Sequence, residues 1–425
     1  MASPLFARKP LDLLMGFSRT FWVANTLELF ERFAFYGAKA VLTIYLARRV
    51  GLGPQAAGSL AGIFSGVLYC LPIVAGTVVD RYGFKRSLAA CFSIFCAGYF
   101  LIGLAGMSFG QGIVAAVGRG PYIAGVLLLT AIGGSLIKPC IVGTVARTSA
   151  PEVRGLGFSI YYTLVNVGGA MGPILALQVR ETLGIEFVLV TSSITSFFCL
   201  LGTVLFFREP ERAAGEEAPT SFAKVLRDMA LVFRNLRFLS FLLIFSGFWI
   251  MFWQIFYSLP FYLTEILHFE RFELIEMVDA WVLILLTVPV SALVRRWRPI
   301  LAMTAGFAVA SASWLLIALA PSWQAVVAAM VVFAFGEALQ APRFYEYVAA
   351  LAPPEQVGTF IGFAFLPVAV GSFVGGAFGG WLVERFVRGS ANPSAMWWIV
   401  AGVGFATTAL MVLYDRLMAA RAVVE

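Results

Sequence analysis

The chain has 425 residues, of which 60% are hydrophobic and 12% are charged, and its formal net charge is +7. Soluble domains carry about 25% charged residues, so this composition excludes an ordinary soluble protein and makes the lipid bilayer the solvent for most of the surface. The excess of basic residues does not indicate nucleic-acid binding, because these residues lie in short loops between apolar runs.

Apolar runs of about 20 residues, long enough to cross a bilayer, follow one another along the chain. Lys and Arg residues concentrate in the loops on one side, and an even number of spans keeps this alternation intact, which predicts that both termini lie in the cytoplasm. The twelve predicted spans, called the first to twelfth spans below, are 20–47, 56–79, 87–107, 121–146, 155–179, 185–207, 238–264, 273–294, 299–320, 323–350, 356–383 and 395–417.

Four charged residues lie inside the first span: Glu28, Glu31, Arg32 and Lys39. At mid-membrane each costs roughly 2.5–3.5 kcal/mol, on the order of 10 kcal/mol together, so they require partners or a polar cavity. At about 100° per residue, Glu28, Arg32 and Lys39 fall within roughly 40° of one another on one helix face. Glu31 lies about 100° from Arg32 and is expected to point towards a neighbouring helix. The span is therefore predicted to turn a polar stripe towards the interior of a helix bundle.

Two other spans carry charges with no obvious partner in their own helix. Lys138 lies deep in the fourth span beside Pro139, and Glu337 lies midway along the tenth. Asp279 lies either at the start of the eighth span or in the preceding loop. Buried carboxylates can take up and release protons, as a proton-driven transporter requires. Alternatively, the charges neutralise one another and hold helices together, as a pairing of Glu28 with Arg32 would.

The loop between the second and third spans reads GTVVDRYGFKR from Gly76 to Arg86. It resembles the G-x-x-x-D-R-x-G-x-[KR]-[KR] loop of the major facilitator superfamily. We expect Asp80, Arg81 and Gly83 to take part in gating: Gly83 makes a tight turn, and Asp80 can pair with a helix terminus or an arginine in one conformational state.

The only extended polar stretch between spans begins at residue 208 and divides the chain into two halves of about six helices each. Together with the loop motif, it implies the major facilitator fold. This is an all-α integral membrane protein with two six-helix bundles, 1–207 and 238–425, joined by a cytoplasmic linker at 208–237. We predict that it lies in the cell membrane and crosses it about twelve times.

The stretch from Glu28 to Gly37 resembles the E-x-x-E-R-F-x-Y-Y-G signature of the proton-dependent oligopeptide transporter family, with Phe35 in place of the first tyrosine. In the fourth span, IKP at 137–139 is similar to the K-P pair of that family. In the tenth, GEALQAP from Gly336 is similar to its G-E…P pattern. The resemblance runs through most of the chain.

The resemblance implies a proton-coupled transporter that imports small peptides or peptide-like zwitterions by alternating access. Lys39 and Lys138 would attract a peptide carboxylate, and Glu337 would attract the amino terminus. Such a site recognises the two ends of a peptide and depends little on which side chains the peptide carries. Protons are the coupling ion, and we expect no other cofactor, no metal and no catalytic residue. The expected partners are the substrate and the bilayer, with the protein acting as a monomer. The implied proton-coupling residues are Glu28, Glu31, Arg32, Lys138 and Glu337. The implied substrate-binding residues are Tyr36, Lys39, Tyr69, Lys138, Asn166, Trp249 and Glu337.

Three features depart from the family pattern. The linker is too short for the extra helix pair of many bacterial members, Ala364–Leu366 stands where the family has a tryptophan, and Asp279 stands where it has an asparagine. These departures concern the peptide substrate more than proton coupling.

Three other classes of protein fit the sequence less well. The stretch Gly168–Pro173 resembles half of the G-x-x-x-G-P element of proton-coupled drug exporters, so an exporter of drugs or other small amphipathic molecules is the alternative function. The paired intramembrane charges argue against a receptor or scaffold. An enzyme is not expected, because no nucleophile–base or metal constellation occurs in the sequence.

Overall fold

The computed structural model describes residues 16–150, 153–210, 222–352 and 357–421, and these residues form helices joined by short connections, with no strand among them. Each of the twelve predicted spans falls on one helix or on consecutive helical segments. The first six are Arg19–Ile44 continued by the π-helical turn Tyr45–Arg49; Gly53–Cys70 with Pro72–Tyr82; Phe84–Leu104; Arg119–Gly134 with Ile137–Thr148; Arg154–Thr182; and Ile185–Phe206.

The second half begins after a separate helix, Phe222–Arg234, which lies in the predicted linker. Its spans are Leu236–Phe252 with the short segments Gln254–Tyr257, Leu259–Phe261 and Tyr262–Ile266; Glu273–Val294; Pro299–Leu319; Trp323–Leu351; Val357–Gly362 with Phe363–Phe365, Leu366–Leu382 and Val383–Val387; and Ala395–Arg421. The division into bundles 1–207 and 238–425 stays a prediction.

Ten helices among the described residues are long and apolar enough to cross a membrane, and the bent pair that forms the second span makes eleven. The bend of 51° falls at Leu71. Pro72 begins the following segment there, and proline has no backbone N–H with which to continue the helical hydrogen bonds. The first span has 26 residues in its α-helical part. It is long enough to cross, and it differs from the other spans in carrying the four charges predicted above.

The most extensive contacts between the halves of the chain are made by two helix pairs: the second span packs against the eleventh, and the fifth packs against the eighth. The first of these contacts is built from glycines. A side chain at Gly58 would overlap the backbone of Gly376 and Gly380, and one at Gly62 would overlap the backbone of Ser372 and Gly376. Small residues let two membrane helices approach this closely.

Ion pairs join the two halves at the end of the bundle opposite the predicted cytoplasmic side. Arg180 of the fifth span binds Glu273 of the eighth at 2.5 Å, and Arg48 of the first span binds Glu265 at 3.0 Å. Arg271 binds Glu181 across the same region at 2.8 Å. With the glycine contact, these pairs close that end of the protein.

Candidate functional site

A buried network of charged groups lies where the first, fourth and fifth spans meet. The Nε atom of Arg32 lies 2.5 Å from Glu31 Oε2 and 3.4 Å from Glu28 Oε1. The Nζ atom of Lys138 lies 3.8 Å from Glu28 Oε1 and donates a hydrogen bond of 2.8 Å to the hydroxyl of Tyr161. That hydroxyl in turn lies 3.5 Å from Glu28 Oε1. Two carboxylates and two cations thus share one set of contacts, which we call the coupling network (Glu28, Glu31, Arg32, Lys138 and Tyr161).

Four of these five residues were predicted to act together. Glu31 accepts a hydrogen bond from Arg32, and it also lines a cavity with Tyr69 of the second span and Lys138 of the fourth, which agrees with its predicted direction towards neighbouring helices. No role was predicted for Tyr161. It is buried and lies between Lys138 and Glu28.

A glycine in the fifth span allows the network to form. A side chain at Gly168 would overlap the Cβ of Arg32, and one at Gly172 would press on the backbone of Phe33 and Gly37. The fifth span can therefore lie directly against the charged face of the first. This close approach lets Tyr161, two turns before Gly168, reach the buried carboxylate of Glu28.

A small cavity lies beside the coupling network. It is lined by Glu31, Arg32, Tyr69 and Lys138 from the first half of the chain and by Phe365 from the second. Its volume of about 20 Å³ is room for about one or two water molecules. The network therefore faces a space shared by both halves, and Phe365 lies in the stretch where the family pattern has a tryptophan.

Lys39 lies apart from the other first-span charges and faces the second half of the chain. Its ammonium nitrogen is 3.6 Å from the ring centre of Trp253 and 4.2 Å from that of Phe256. The rings of Tyr36, Phe35 and Phe252 surround it at 5.7–6.0 Å. This is a cation–π cage, to which the seventh span contributes Phe252, Trp253 and Phe256. The role of Lys39 in attracting a substrate carboxylate stays a prediction.

Glu337 pairs with another carboxylate. The eighth and tenth spans pack together, and Glu337 interacts electrostatically with Asp279 and with Tyr36 of the first span. Asp279 lies inside the helix Glu273–Val294, so the loop position is wrong. The structure therefore places Glu337 on the inner side of the bundle, in a group separate from the coupling network.

The remaining predicted substrate residues are spread around the same interior. The ring of Tyr69 lies 5.9 Å from that of Trp253. Trp249 packs against Phe252 at 4.9 Å. Asn166 is partly buried on the fifth span, and its side chain has no hydrogen-bond partner among the described residues. Trp253, which touches both Tyr69 and Lys39, was missed by the sequence analysis.

The loop expected to act in gating has a tight turn and an additional acidic partner. Gly83 has φ = 85° and separates the helix that ends at Tyr82 from the one that begins at Phe84. Glu209 accepts hydrogen bonds from the backbone N–H groups of Phe84 and Lys85, at 2.7 and 2.8 Å. The start of the linker is thus attached to the first turn of the third span. Asp80 and Arg81 lie in the last turn of the preceding helix, and their gating role stays a prediction.

A bundle of apolar spans in two halves, closed at one end by ion pairs and holding buried charges at its centre, defines a secondary membrane carrier. The sequence profile of the Major Facilitator Superfamily matches residues 26–313 and 272–423. The chain therefore belongs to this superfamily of transporters and is a multi-pass protein of the cell membrane.

The curated relatives that match the chain include peptide permeases and a multidrug resistance protein. A dipeptide and tripeptide permease A of Erwinia pyrifoliae is 27% identical over 223 residues, which cover 49% of this chain and 41% of the permease. The chain thus matches less than half of that relative's length. A multidrug resistance protein, MdtH, of Enterobacter sp. is 25% identical over 378 residues, covering 88% of both chains.

Solved structures of proton-dependent oligopeptide transporters (the POT family) share the fold. One, in complex with a thioalcohol-conjugated peptide, has a TM-score of 0.76 at 16% identity and covers 94% of this chain and 96% of its own. Another, the POT family transporter PepTSo, has a TM-score of 0.75 at 18% identity, with coverage of 94% and 98%. The resemblance to this family is confirmed, and at these identities it concerns the fold.

Proposed function

We propose that the protein is a proton-coupled importer of short peptides or peptide-like zwitterions that works by alternating access. The observation that carries the proposal is the coupling network, in which Glu28 is fully buried and is shared by Arg32 and Lys138. Removing one partner from such a buried network leaves an uncompensated charge, which costs roughly 3–5 kcal/mol. Adding a proton to a carboxylate of the network has the same kind of effect on the ion pairs.

Protonation can thereby drive the conformational change. When a carboxylate of the network takes up a proton, Arg32 and Lys138 lose part of their counter-charge and become free to attract an anionic group. A substrate carboxylate supplies that group from the space between the halves. A ligand shifts a conformational equilibrium only as far as its affinities for the two states differ. Proton and substrate together therefore favour the state in which both are bound.

The charge distribution across the interior matches a zwitterion. Arg32 and Lys138 lie on one side, in the first half of the chain, and Glu337 lies on the other side, in the second half. A peptide bound between them would place its carboxylate at the cations and its ammonium at Glu337. We assign Tyr36 and Tyr69 to the walls of this site, since Tyr36 interacts electrostatically with Arg32 and with Glu337 and Tyr69 lines the cavity beside the coupling network. We also propose that a single chain forms a complete site.

Uptake into liposomes tests the proposal. The purified protein is reconstituted, an inward proton gradient is applied, and uptake of labelled dialanine is followed for the wild type, Glu31→Gln and Lys138→Ala. We expect gradient-driven uptake in the wild type and a loss of at least about tenfold in both variants. Asp415→Asn is the matched control, because Asp415 forms an exposed ion pair with Arg298 outside the site. Wild-type liposomes that accumulate no dialanine would overturn the peptide assignment.

An exporter is the second candidate, and two observations favour it. The relative MdtH, named as a multidrug resistance protein, matches 88% of the chain. In addition, Gly168 to Pro173 lies within the fifth span, with Pro173 inside the helix. Efflux of a cationic dye from loaded liposomes, driven by a proton gradient and lost in Glu31→Gln, would support export in place of peptide uptake.

A further inference from the structure

The second half of the chain contains carboxylates that the coupling network does not use. The eighth span carries Glu273, Glu276 and Asp279 at successive turns. Glu273 is bound by Arg180, at 2.5 and 3.0 Å. Glu276 is 4% exposed and Asp279 is 8% exposed. Both oxygens of Glu276 and the Oδ1 atom of Asp279 are buried without a hydrogen-bond partner among the described residues.

Glu337 of the tenth span adds a second carboxyl group beside Asp279. The two groups interact electrostatically, and the Oε2 atom of Glu337 is also buried without a hydrogen-bond partner in the part of the chain that the structure describes. Glu337 faces Tyr36 of the first span. Since the eighth span also contacts the first, the pair lies where the second half of the chain meets the first.

The neighbouring cations are engaged elsewhere. Arg180 of the fifth span binds Glu273, and Arg32 of the first span binds Glu31 and Glu28. Arg343 of the tenth span donates hydrogen bonds to Glu346 and to the backbone carbonyl of Val294.

Lys39 of the first span is the remaining cation near these acids. It faces Glu276 but sits in its aromatic cage, 3.6 Å from the ring centre of Trp253. Among the described side chains, none provides an ion pair to Asp279 or Glu337.

We propose that Asp279 and Glu337 form a cation subsite that selects substrates with two positively charged groups, such as a short peptide with an amino-terminal ammonium and a lysine side chain. The proposal rests on the proposed function for the peptide part of the substrate. A buried carboxylate without a partner is costly, and an ammonium group brings both a charge and three hydrogen-bond donors. A single carboxylate can balance the charge of one ammonium group, whereas the two carboxylates of Asp279 and Glu337 can balance the charges of two.

Binding measurements on the purified full-length protein test the subsite without requiring transport. Isothermal titration compares three probes: alanyl-alanine with one ammonium, lysyl-alanine with two, and 1,5-diaminopentane, which has two and no carboxylate. The wild type is expected to bind lysyl-alanine at least about tenfold more tightly than alanyl-alanine. Asp279→Asn, which keeps the shape and removes the charge, is expected to abolish this preference while changing the alanyl-alanine Kd less than about threefold.

A matched control separates a specific pair from a general negative field. Glu276→Gln removes a buried charge one turn away on the same helix, and it is expected to keep the preference for lysyl-alanine. If Glu276→Gln and Asp279→Asn abolish the preference equally, the specific pair is refuted. If Asp279→Asn does not yield a folded protein, Glu337→Gln tests the other member: it is expected to weaken the binding of both peptides, because Glu337 also receives the amino-terminal ammonium, and to abolish the preference for lysyl-alanine.

The outcomes distinguish this proposal from the proposed function. Equal binding of the two peptides by the wild type would overturn the subsite and leave peptide recognition standing. Binding of 1,5-diaminopentane that depends on Asp279, with neither peptide bound, would support the subsite and overturn peptide recognition. A wild type that binds none of the three probes would overturn both.

Discussion

The contact between the second and eleventh spans makes a quantitative prediction about the conformational equilibrium. A Cβ atom added at Gly58 would lie 2.5 Å from the carbonyl oxygen of Gly376 and 3.0 Å from the backbone nitrogen of Gly380. Ordinary contacts between such atoms are about 3.5 Å, so Gly58→Ala requires the two helices to separate by about 1 Å. Overpacking of this kind costs about 1–3 kcal/mol.

This cost applies only to the state in which the two spans touch. Since the contact joins the two halves at the end closed by the ion pairs, a state with that end open escapes the cost. Gly58→Ala is therefore expected to shift the population towards the open state by roughly 5- to 150-fold. Gly380→Ala should act in the same direction, because its Cβ would lie 2.8 Å from the carbonyl oxygen of Pro54.

The distance between two spin labels at the closed end reports the shift. Gln111 lies in the connection between the third and fourth spans, and Ala391 lies in that between the eleventh and twelfth; both are exposed. Cysteines are placed at these positions, the five native cysteines are replaced, and the distances are measured by pulsed electron resonance in lipid nanodiscs. We expect a longer distance to gain population in Gly58→Ala.

Gly76→Ala is the matched control for the glycine variants. It lies in the same bent span, and a Cβ atom there meets nothing within 4 Å. The distance distribution of this control should equal that of the unsubstituted protein. Identical distributions for Gly58→Ala and Gly76→Ala in folded protein would refute the reasoning.

Three further predictions concern single contacts. Arg180→Met leaves Glu273 buried without its partner at a cost of roughly 3–5 kcal/mol. The distance between the spin labels should therefore lengthen as in Gly58→Ala. The double variant that exchanges the two residues, Arg180→Glu with Glu273→Arg, should reverse part of this change. Glu209→Ala removes two hydrogen bonds from the start of the third span and should lower the free energy of unfolding by about 1–2 kcal/mol, seen as a lower Tm in a thermal melt; an unchanged Tm would show that the linker contact is dispensable. Tyr161→Phe removes the acceptor of the Lys138 hydrogen bond and should reduce proton-driven uptake by roughly tenfold, whereas unchanged uptake would remove Tyr161 from the coupling network.

The number and order of the spans could be predicted because apolar length is a property of the sequence itself. The pairing of Glu28 with Arg32 was also accessible, since residues four apart lie on one side of a helix. The contacts of Tyr161 and Glu209 depend on how separate elements pack, and no spacing in the sequence fixes that. Of these contacts between elements, the sequence indicated only that of Lys138. This lysine lies inside a span and has no partner in its own helix, so it requires a partner from another span.

The helical angle of a residue does not predict how far its long side chain reaches. Glu31 and Arg32 are adjacent in sequence and start on different sides of the helix, yet the Arg32 side chain is long enough to reach both glutamates. Lys39 was grouped with Glu28 and Arg32 by helical angle. Its side chain instead reaches the rings of Trp253 and Phe256, because the seventh span contributes a cluster of aromatic residues that the periodicity of the first span cannot indicate.

The eighth span links the closed end of the protein to the proposed substrate site. Glu273, at its start, holds the closed end through Arg180, and Asp279, two turns further on, lies beside Glu337. Between them Glu276 faces Lys39, which the first span inserts among the aromatic residues of the seventh. We expect opening of the closed end to separate Arg180 from Glu273, which changes the charge around the eighth span. By thermodynamic linkage, a cation bound at Asp279 and Glu337 must then bias the opening to the same degree that opening changes the affinity for that cation.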